Sequence, residues 1–277
     1  MKPRLMGIVN ASPDSFSDPG ARSLDDLVAN ARAQVEAGAD MIDVGGESGV
    51  THTAPTSPAE ECARVLPLVE RLVGEGITVS VDTWKPEVAD AVLAAGAALI
   101  NDVSGLCDPA VADACARHDA GLVVMHTRAE PKTKTFPDYD DVFEDVRAFL
   151  AERTALARER GVAADKIVID PGPDFAKTPA ETVAVLRRLP ELRELGYPVL
   201  LAVSRKDFVG ALTGRGPSER LAGTLGALAI AGRQADILRV HDVAEVADFL
   251  RVLDALDGGP LAVPALDPAL RREDRVA

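Results

Sequence analysis

Residues 78–103, TVSVDTWKPEVADAVLAAGAALINDV, hold a complete structural unit. The run 78–83 is short, rich in Val and Thr, and ends on the polar pair Asp82-Thr83, as a strand feeding a polar loop does. Pro86 then stands where a first helical turn tolerates a missing N–H, residues 86–96 read as a helix, and Gly96 closes it. A second apolar run, 99–103, follows at once. Strands this apolar are covered on both faces, and parallel strands joined by right-handed helical crossovers provide that cover.

The same rhythm extends in both directions. Strand-like runs at 5–10, 41–45, 121–126, 167–171, 199–204 and 237–241 bring the total to eight. Helix-like segments at about 23–37, 58–74, 109–118, 141–160, 179–194, 218–233 and 243–256 alternate with them. Leu24, Leu27, Val28, Ala31 and Val35 form the apolar stripe of a helix packed on a sheet, with Ser23 as its N-cap. Pro58, Pro109 and Pro179 fall in first turns, and Gly38, Gly74 and Gly161 just past helix ends. The rival fold is an open doubly wound sheet. Against it, the loop NASPDSFSDPGARS at 10–23 lacks the GxGxxG turn, and no GxxxxGK[ST] occurs. The sequence therefore predicts an α/β fold, a single-domain (β/α)8 TIM barrel over residues 1–257. Residues 258–277, which open on Gly-Gly-Pro and have no periodicity, read as a disordered or surface-draped tail.

Composition narrows the function. In 277 residues, 47% hydrophobic and 27% charged, there is ample material for a large core. The balance of 30 basic against 44 acidic residues, net −14, argues against nucleic-acid and polybasic membrane roles. Cys62, Cys107 and Cys115 form no CxxC and the four histidines no HExxH, so neither a disulfide framework nor a zinc site is expected, and a reducing cytoplasm fits. No signal peptide or membrane span is read from the sequence.

Barrel chemistry sits at the C-terminal strand ends. There the chain offers Asn10; Asp43 and Glu47; Asp82; Asn101 and Asp102; His126; Asp170; Ser204, Arg205 and Lys206; and Arg239 and His241. Any one of these alone reads as a satisfied strand-end residue. Together, on one barrel mouth, they call for a ligand. Asp82, Asn101 and Asp170 suit the donor edge of a flat nitrogen-rich ring, whereas Lys206, Arg239 and His241 offer cationic donors for phosphate. Asn10, with Asp14 and Asp18 in the following loop, supplies oxygen ligands for Mg²⁺ against a diphosphate. Trp84 either lines this pocket or covers the rim, and His118 reads as a surface residue. The acids of 138–145 read as solvating a helix start.

In this order, MGIVNASPDSFSD, DVGGES, SVDT, INDVSG, VVMH, DPGPDFAKT, AVSRKDFVG and RVHDV resemble the successive signatures of the dihydropteroate synthase family, from about residue 4 to 256. The resemblance implies a transferase, commonly a cytoplasmic homodimer using Mg²⁺. It would condense (7,8-dihydropterin-6-yl)methyl diphosphate with 4-aminobenzoate to 7,8-dihydropteroate in folate synthesis. Carried over by position, Asp82, Asn101, Asp170 and Lys206 resemble the pterin pocket, with Asp82, Asp170 and Lys206 in the catalytic roles. Arg239 and His241 resemble the diphosphate anchor, Asn10 and Asp18 the metal contacts, and Phe16 part of the loop that folds over the arylamine.

Three stretches depart from the family pattern. Gly49-Val50-Thr51-His52 stands where most members have Thr-Arg-Pro-Gly, and Asp207 where most have a serine that donates to the aminobenzoate carboxylate. An isolated acid at that point would oppose an anionic substrate by about 1 to 4 kcal/mol at 4 Å. The changes read as loop drift, with His52 or Thr53 replacing the arginine, as a paralogue using another amine, or as a non-catalytic pterin-binding regulator. The third departure is Pro173-Asp174, beside the pterin positions.

Overall fold

The computed structural model describes residues 2–12, 23–47 and 55–258. Its strands are β1 (Arg4–Asn10), β2 (Met41–Gly45), β3 (Val79–Asp82), β4 (Leu99–Asp102), β5 (Gly121–Met125), β6 (Ile167–Asp170), β7 (Leu200–Leu201) and β8 (Ile237–Val240). All pair in parallel in the order β6-β5-β4-β3-β2-β1-β8-β7. The two ends meet through a parallel bridge between Ile169 and Val199, with Ile169 N donating to Pro198 O at 2.9 Å. That bridge closes the expected (β/α)8 barrel.

The surrounding helices are α1 (Leu24–Glu36), α2 (Pro58–Gly74), α3 (Pro86–Ala94), α4 (Ala110–Arg117), α5 (Val142–Glu159), α6 (Pro179–Arg187), α7 (Leu189–Leu192), α8 (Asp207–Thr213), α9 (Leu221–Ile230) and α10 (Val243–Leu256). Ser23, Ser57 and Thr178 cap α1, α2 and α6, each answered by an acid at the third helical position: Asp26, Glu60 and Glu181. The helix expected at 179–194 is broken after Arg187, three residues before Pro190, which has no N–H for the carbonyl four residues back. The segment 218–233 is likewise interrupted: 3₁₀ turns at Pro217–Glu219 and Ala231–Gln234 flank α9. Helix α8 was not foreseen. The stripe on α1 is narrower than expected, since Leu24 is 40% exposed while Leu27, Val28 and Ala31 are buried.

Alternation along the strands sorts the core into two shells. Val9, Val44, Val81, Ile100, Val124, Ile169 and Leu238 point outward into the helical layer. Met6, Met41, Leu99, Val123, Val168, Leu200, Ala202 and Ile237 fill the barrel interior. Burying one aliphatic side chain contributes about 1.5 to 3 kcal/mol, so this plug is a rigid base for whatever stands above it. Among the described residues, no helix is long and apolar enough to cross a membrane. The tail expected at 258–277 falls, from 259 onward, outside the described residues.

Candidate active site

Two residues further along five of the inward rows, apolar side chains give way to polar ones. Met41 is followed by Asp43, Leu99 by Asn101, Val168 by Asp170, Ala202 by Ser204 and Ile237 by Arg239. Asn10 stands beside Gly45, Gly45 beside Asp82, and Asp82 beside Asn101 in the strand register. Gly45 leaves room there: a Cβ on it would sit 3.1 Å from the Asn10 amide oxygen and press on that side chain. Above this layer opens a cleft of about 950 Å³ whose walls include Trp84, Asp174, Phe175, Lys206, Arg239 and His241. Asn10, Asp82, Asn101, Asp170, Lys206, Arg239 and His241 thus share one barrel mouth, as expected.

Asp43 organises the floor. It is fully buried and accepts Ser80 Oγ at 2.6 Å, Asn101 Nδ2 at 3.0 Å and Arg239 Nε at 2.6 Å. Arg239 Nη2 also donates to Asp82 at 3.1 Å. One carboxylate thereby ties β3, β4 and β8 together. With its amide nitrogen turned to Asp43, Asn101 leaves a buried Oδ1 with no partner among the described residues. An acceptor in that position is suited to a ligand N–H. The sequence reading included Asp43 among the strand-end acids but gave it no role. An acid inside a strand buried on every residue was the available signal.

Asp170 is 3% exposed and accepts Gly172 N at 2.7 Å. Burial pushes its carboxyl up to about 6, against the pull of that N–H and of Lys206, Lys177 and Arg239. Burial likewise raises Asp82 above the usual carboxylate range, opposed by Arg239 and reinforced by Asp43. Burial lowers the Lys206 ammonium, which lies 4.3 Å from the centre of the Phe175 ring; Asp174 and Asp170 oppose the shift.

Behind Phe175 lies Lys177, 1% exposed, whose Nζ donates to Gly172 O at 2.9 Å, to Phe175 O at 3.0 Å and to His126 Nδ1 at 2.7 Å. His126 is pushed down to about 3, chiefly by burial, and is neutral. With Nδ1 accepting from Lys177, its proton is assigned to Nε2, which donates to Asp145 at 2.8 Å. His126 therefore braces β5 against α5 and does not enter the mouth; β5 ends at Met125, so the next residue faces outward. This corrects the expectation that every strand delivers a polar group to the site. Asp102 also turns away, onto Ser104 N at 2.8 Å.

The expected cationic trio is altered as well. Burial pushes His241 down to about 4, helped by Arg239 and Arg205, so it is a neutral donor. Its backbone N–H reaches Ser204 Oγ at 3.2 Å and its Nδ1 lies 3.0 Å from the same oxygen. The hydroxyl accepts the first and donates to the second, which leaves the proton on Nε2. Burial opposes the charge on Arg239, but Asp43, Asp82 and Asp170 outweigh it and hold the guanidinium above its ordinary value. Four acids, Asp43, Asp82, Asp170 and Asp174, thus surround two cations, Lys206 and Arg239.

Asp207 is not the isolated acid expected from the sequence. Arg220 Nη1 lies 3.0 Å from it and Lys134 Nζ 3.6 Å, giving a cluster with one net positive charge. At 63% exposure each pair is weak in energy, yet together they reverse the sign that an aminobenzoate carboxylate would meet. Trp84 lines the cleft, and His118 caps α4 near the surface, 3.1 Å from Asp90. Asp141 caps α5 as expected of that acidic stretch, but Asp145 is committed to His126 and Arg128. Asp14, Phe16, Asp18 and residues 49–53 lie outside the described residues.

A closed barrel with a polar inward layer beneath an open cleft defines a small-molecule enzyme of the barrel class, and the known proteins it resembles make the class specific. The profile of the pterin binding enzyme family matches residues 6–241. The dihydropteroate synthase of Escherichia coli strain K12 is 42% identical over 257 residues, covering 91% of each chain. A structure of Xanthomonas albilineans dihydropteroate synthase with 4-aminobenzoic acid is 44% identical, with a TM-score of 0.87 and 94% coverage of both chains. Another, in complex with 7,8-dihydropteroate, has a TM-score of 0.84 at 44% identity and covers 94% of this chain and 95% of that one. The chain belongs to the dihydropteroate synthase family of pterin-binding transferases.

Proposed function

We propose that the enzyme condenses (7,8-dihydropterin-6-yl)methyl diphosphate with 4-aminobenzoate, releasing diphosphate and forming 7,8-dihydropteroate. The observation that carries this reading is the inward polar layer at one barrel mouth, with the unpartnered Asn101 Oδ1 and the Asp170 carboxylate beside the cleft. The ring's donor edge faces Asp170, Asp82 and Asn101. As the bond from methylene carbon to diphosphate oxygen breaks, the positive charge spreading into the ring is stabilised by those carboxylates. Lys206, Arg239 and the His241 Nε2–H hold the departing oxygens. The arylamine nitrogen closes on the methylene carbon and releases its proton, so no protein nucleophile is needed. Lys134 and Arg220 offset the charge of Asp207 on the amine side.

With acids outnumbering cations in the mouth, a diphosphate needs additional positive charge, and the donor set suits Mg²⁺. Asn10 would hold it through its amide oxygen, with Asp18 from the following loop; when bound, the ion neutralises the diphosphate as a leaving group. The three cysteines, all thiols, fit work in a reducing cytoplasm.

A second copy of the chain completes the assembly in this reading. Helix α9, LAGTLGALAI, is apolar on every side but buries only Thr224 and Leu228. Ile230 is 77% exposed, and Leu212, Val252 and Leu256 on neighbouring helices are 71%, 61% and 82% exposed. Sedimentation of the wild type is expected to give a dimer, and the Ile230→Asp, Leu256→Asp double variant a monomer. A wild-type monomer would refute the assembly.

The reaction itself is tested by incubating the full chain with the pterin diphosphate, 4-aminobenzoate and Mg²⁺ and identifying products by mass. Dihydropteroate and diphosphate in equal amounts are expected; pterin binding without diphosphate release would overturn the proposal. A further expectation concerns pH. Ligand N–H groups favour ionised Asp170, whose carboxyl titrates at about 6, so pterin affinity should fall as pH drops through that value. Asp170→Asn should weaken binding by about 10- to 100-fold at neutral pH, roughly 1.5 to 3 kcal/mol, and remove that contribution to the slope. Calorimetry from pH 5 to 8 reads both effects.

A further inference from the structure

We propose that Asp174 is a positioning residue that clasps the loop after β6 to the start of α8, and so holds the Lys206 ammonium over the Phe175 ring. The inference deepens the reading above, because it concerns how the proposed pterin site is kept in shape. The geometry is cross-linked on both sides. Asp174 N donates to Thr182 Oγ1 at 3.0 Å, and that hydroxyl donates to Asp174 Oδ1 at 3.1 Å, fixing the loop to α6. Thr182 is fully buried, so the anchor is firm. The other carboxylate oxygen, Oδ2, accepts Phe208 N at 3.2 Å. Phe208 is the second residue of α8, and Lys206 is its N-cap. One side chain therefore joins α6, the loop carrying Phe175, and the helix whose cap is Lys206.

The side chain also has an electrostatic part. Lys206, half-buried in the cleft wall, is influenced by Asp174 and Asp170 from the β6 side, Asp207 on its own helix, Arg239 and His241 from β8 and its loop, and Lys177 from behind. Burial and the cations work against its charge. Asp174 is the foremost acid working for it. Asp174 adopts a left-handed backbone, φ 65°, a conformation that glycine takes without strain and an aspartate takes at some cost. In return the residue makes three hydrogen bonds, two accepted by its carboxylate oxygens and one donated by its backbone N–H to the Thr182 hydroxyl. Pro173-Asp174, which had no role from sequence alone, thereby becomes part of the site's construction.

Two variants of the full chain separate the clasp from the charge. Asp174→Asn keeps an amide oxygen for Phe208 N–H and removes the charge. Asp174→Gly keeps the backbone conformation and removes both. Amide exchange at Phe208, read by NMR or mass spectrometry, should quicken about ten-fold in Asp174→Gly and stay near wild type in Asp174→Asn. The alkaline limb of the kcat/KM profile, where Lys206 loses its proton, should move to lower pH in both variants. Unchanged Phe208 exchange in a folded Asp174→Gly protein overturns the clasp. An alkaline limb in Asp174→Asn that superimposes on the wild type overturns the electrostatic half. Should the wild type form no dihydropteroate, the reaction proposed above fails, while the exchange measurement still decides the clasp.

Discussion

Replacing Arg239 with methionine is expected to lower kcat/KM for the pterin diphosphate by about a thousand-fold, roughly 4 kcal/mol, and folding stability by about 3 to 5 kcal/mol. The size follows from what the guanidinium holds apart. Asp43 has no exposure, and among the described residues Arg239, with Nε at 2.6 Å, is the cation that pairs with it; Asp82 is bound by Nη2 of the same side chain at 3.1 Å. Without Arg239, two carboxylates face each other in a low-dielectric floor, with the neutral donors Ser80 and Asn101 left on Asp43. Removing one member of a buried pair costs far more than the pair's net worth, because the other charge stays behind. Arg239→Lys should recover part of the stability but little of the activity, since one ammonium cannot reproduce a planar fork shared by two carboxylates. Urea titration for stability and steady-state kinetics for turnover check the two effects separately. Loss of less than about 1 kcal/mol in Arg239→Met would show that the acids relax or protonate at little cost.

The second large effect is expected at Lys177. Methionine has nearly its length and is apolar, so Lys177→Met relieves the cost of burying an ammonium, which is visible in an amine pushed down to about 7 by burial. That gain is outweighed, because three acceptors, Gly172 O, Phe175 O and His126 Nδ1, lose their donor at once. At about 1 to 3 kcal/mol for each buried group left unpaired, and allowing for relaxation, a net loss of about 2 to 5 kcal/mol follows. The loop concerned also carries Gly172, whose N–H bonds Asp170, and Phe175, on which Lys206 rests. Gly172 cannot yield: at φ 62°, a Cβ on it would collide with the His126 carbonyl. Turnover should therefore fall by at least about a hundred-fold. A drop in urea midpoint with unchanged m-value would mark the stability loss; wild-type stability and turnover would show the three bonds to be dispensable.

Period-two alternation made much of the site legible. Met41-Ile42-Asp43, Leu99-Ile100-Asn101 and Val168-Ile169-Asp170 each place a polar residue two steps beyond an interior apolar one, and closure of the barrel brings those residues together. What escaped was set by contacts that sequence spacing does not encode. His126 fell outside because it is an odd number of residues from the inward-facing Val123, and a one-residue difference reverses the face. Lys177 escaped because a lysine is rarely buried without a charge partner, and its acceptors belong to its own loop and to a histidine 51 residues away. Helix α8 follows directly on a strand end and is too short for a periodic signal. The neutral state of His241 and the pairing of Asp207 are consequences of burial and of long-range neighbours.

The most direct test of the central claim, that the inward polar layer of this barrel is a pterin site, is a crystal structure with a pterin bound. The ring is predicted at the C-terminal mouth, with Asp170 accepting from its donor edge, Asn101 Oδ1 within hydrogen-bond distance, and Lys206 and Phe175 alongside. A pterin bound elsewhere, or in the mouth without contact to Asp170 and Asn101, would contradict the assignment.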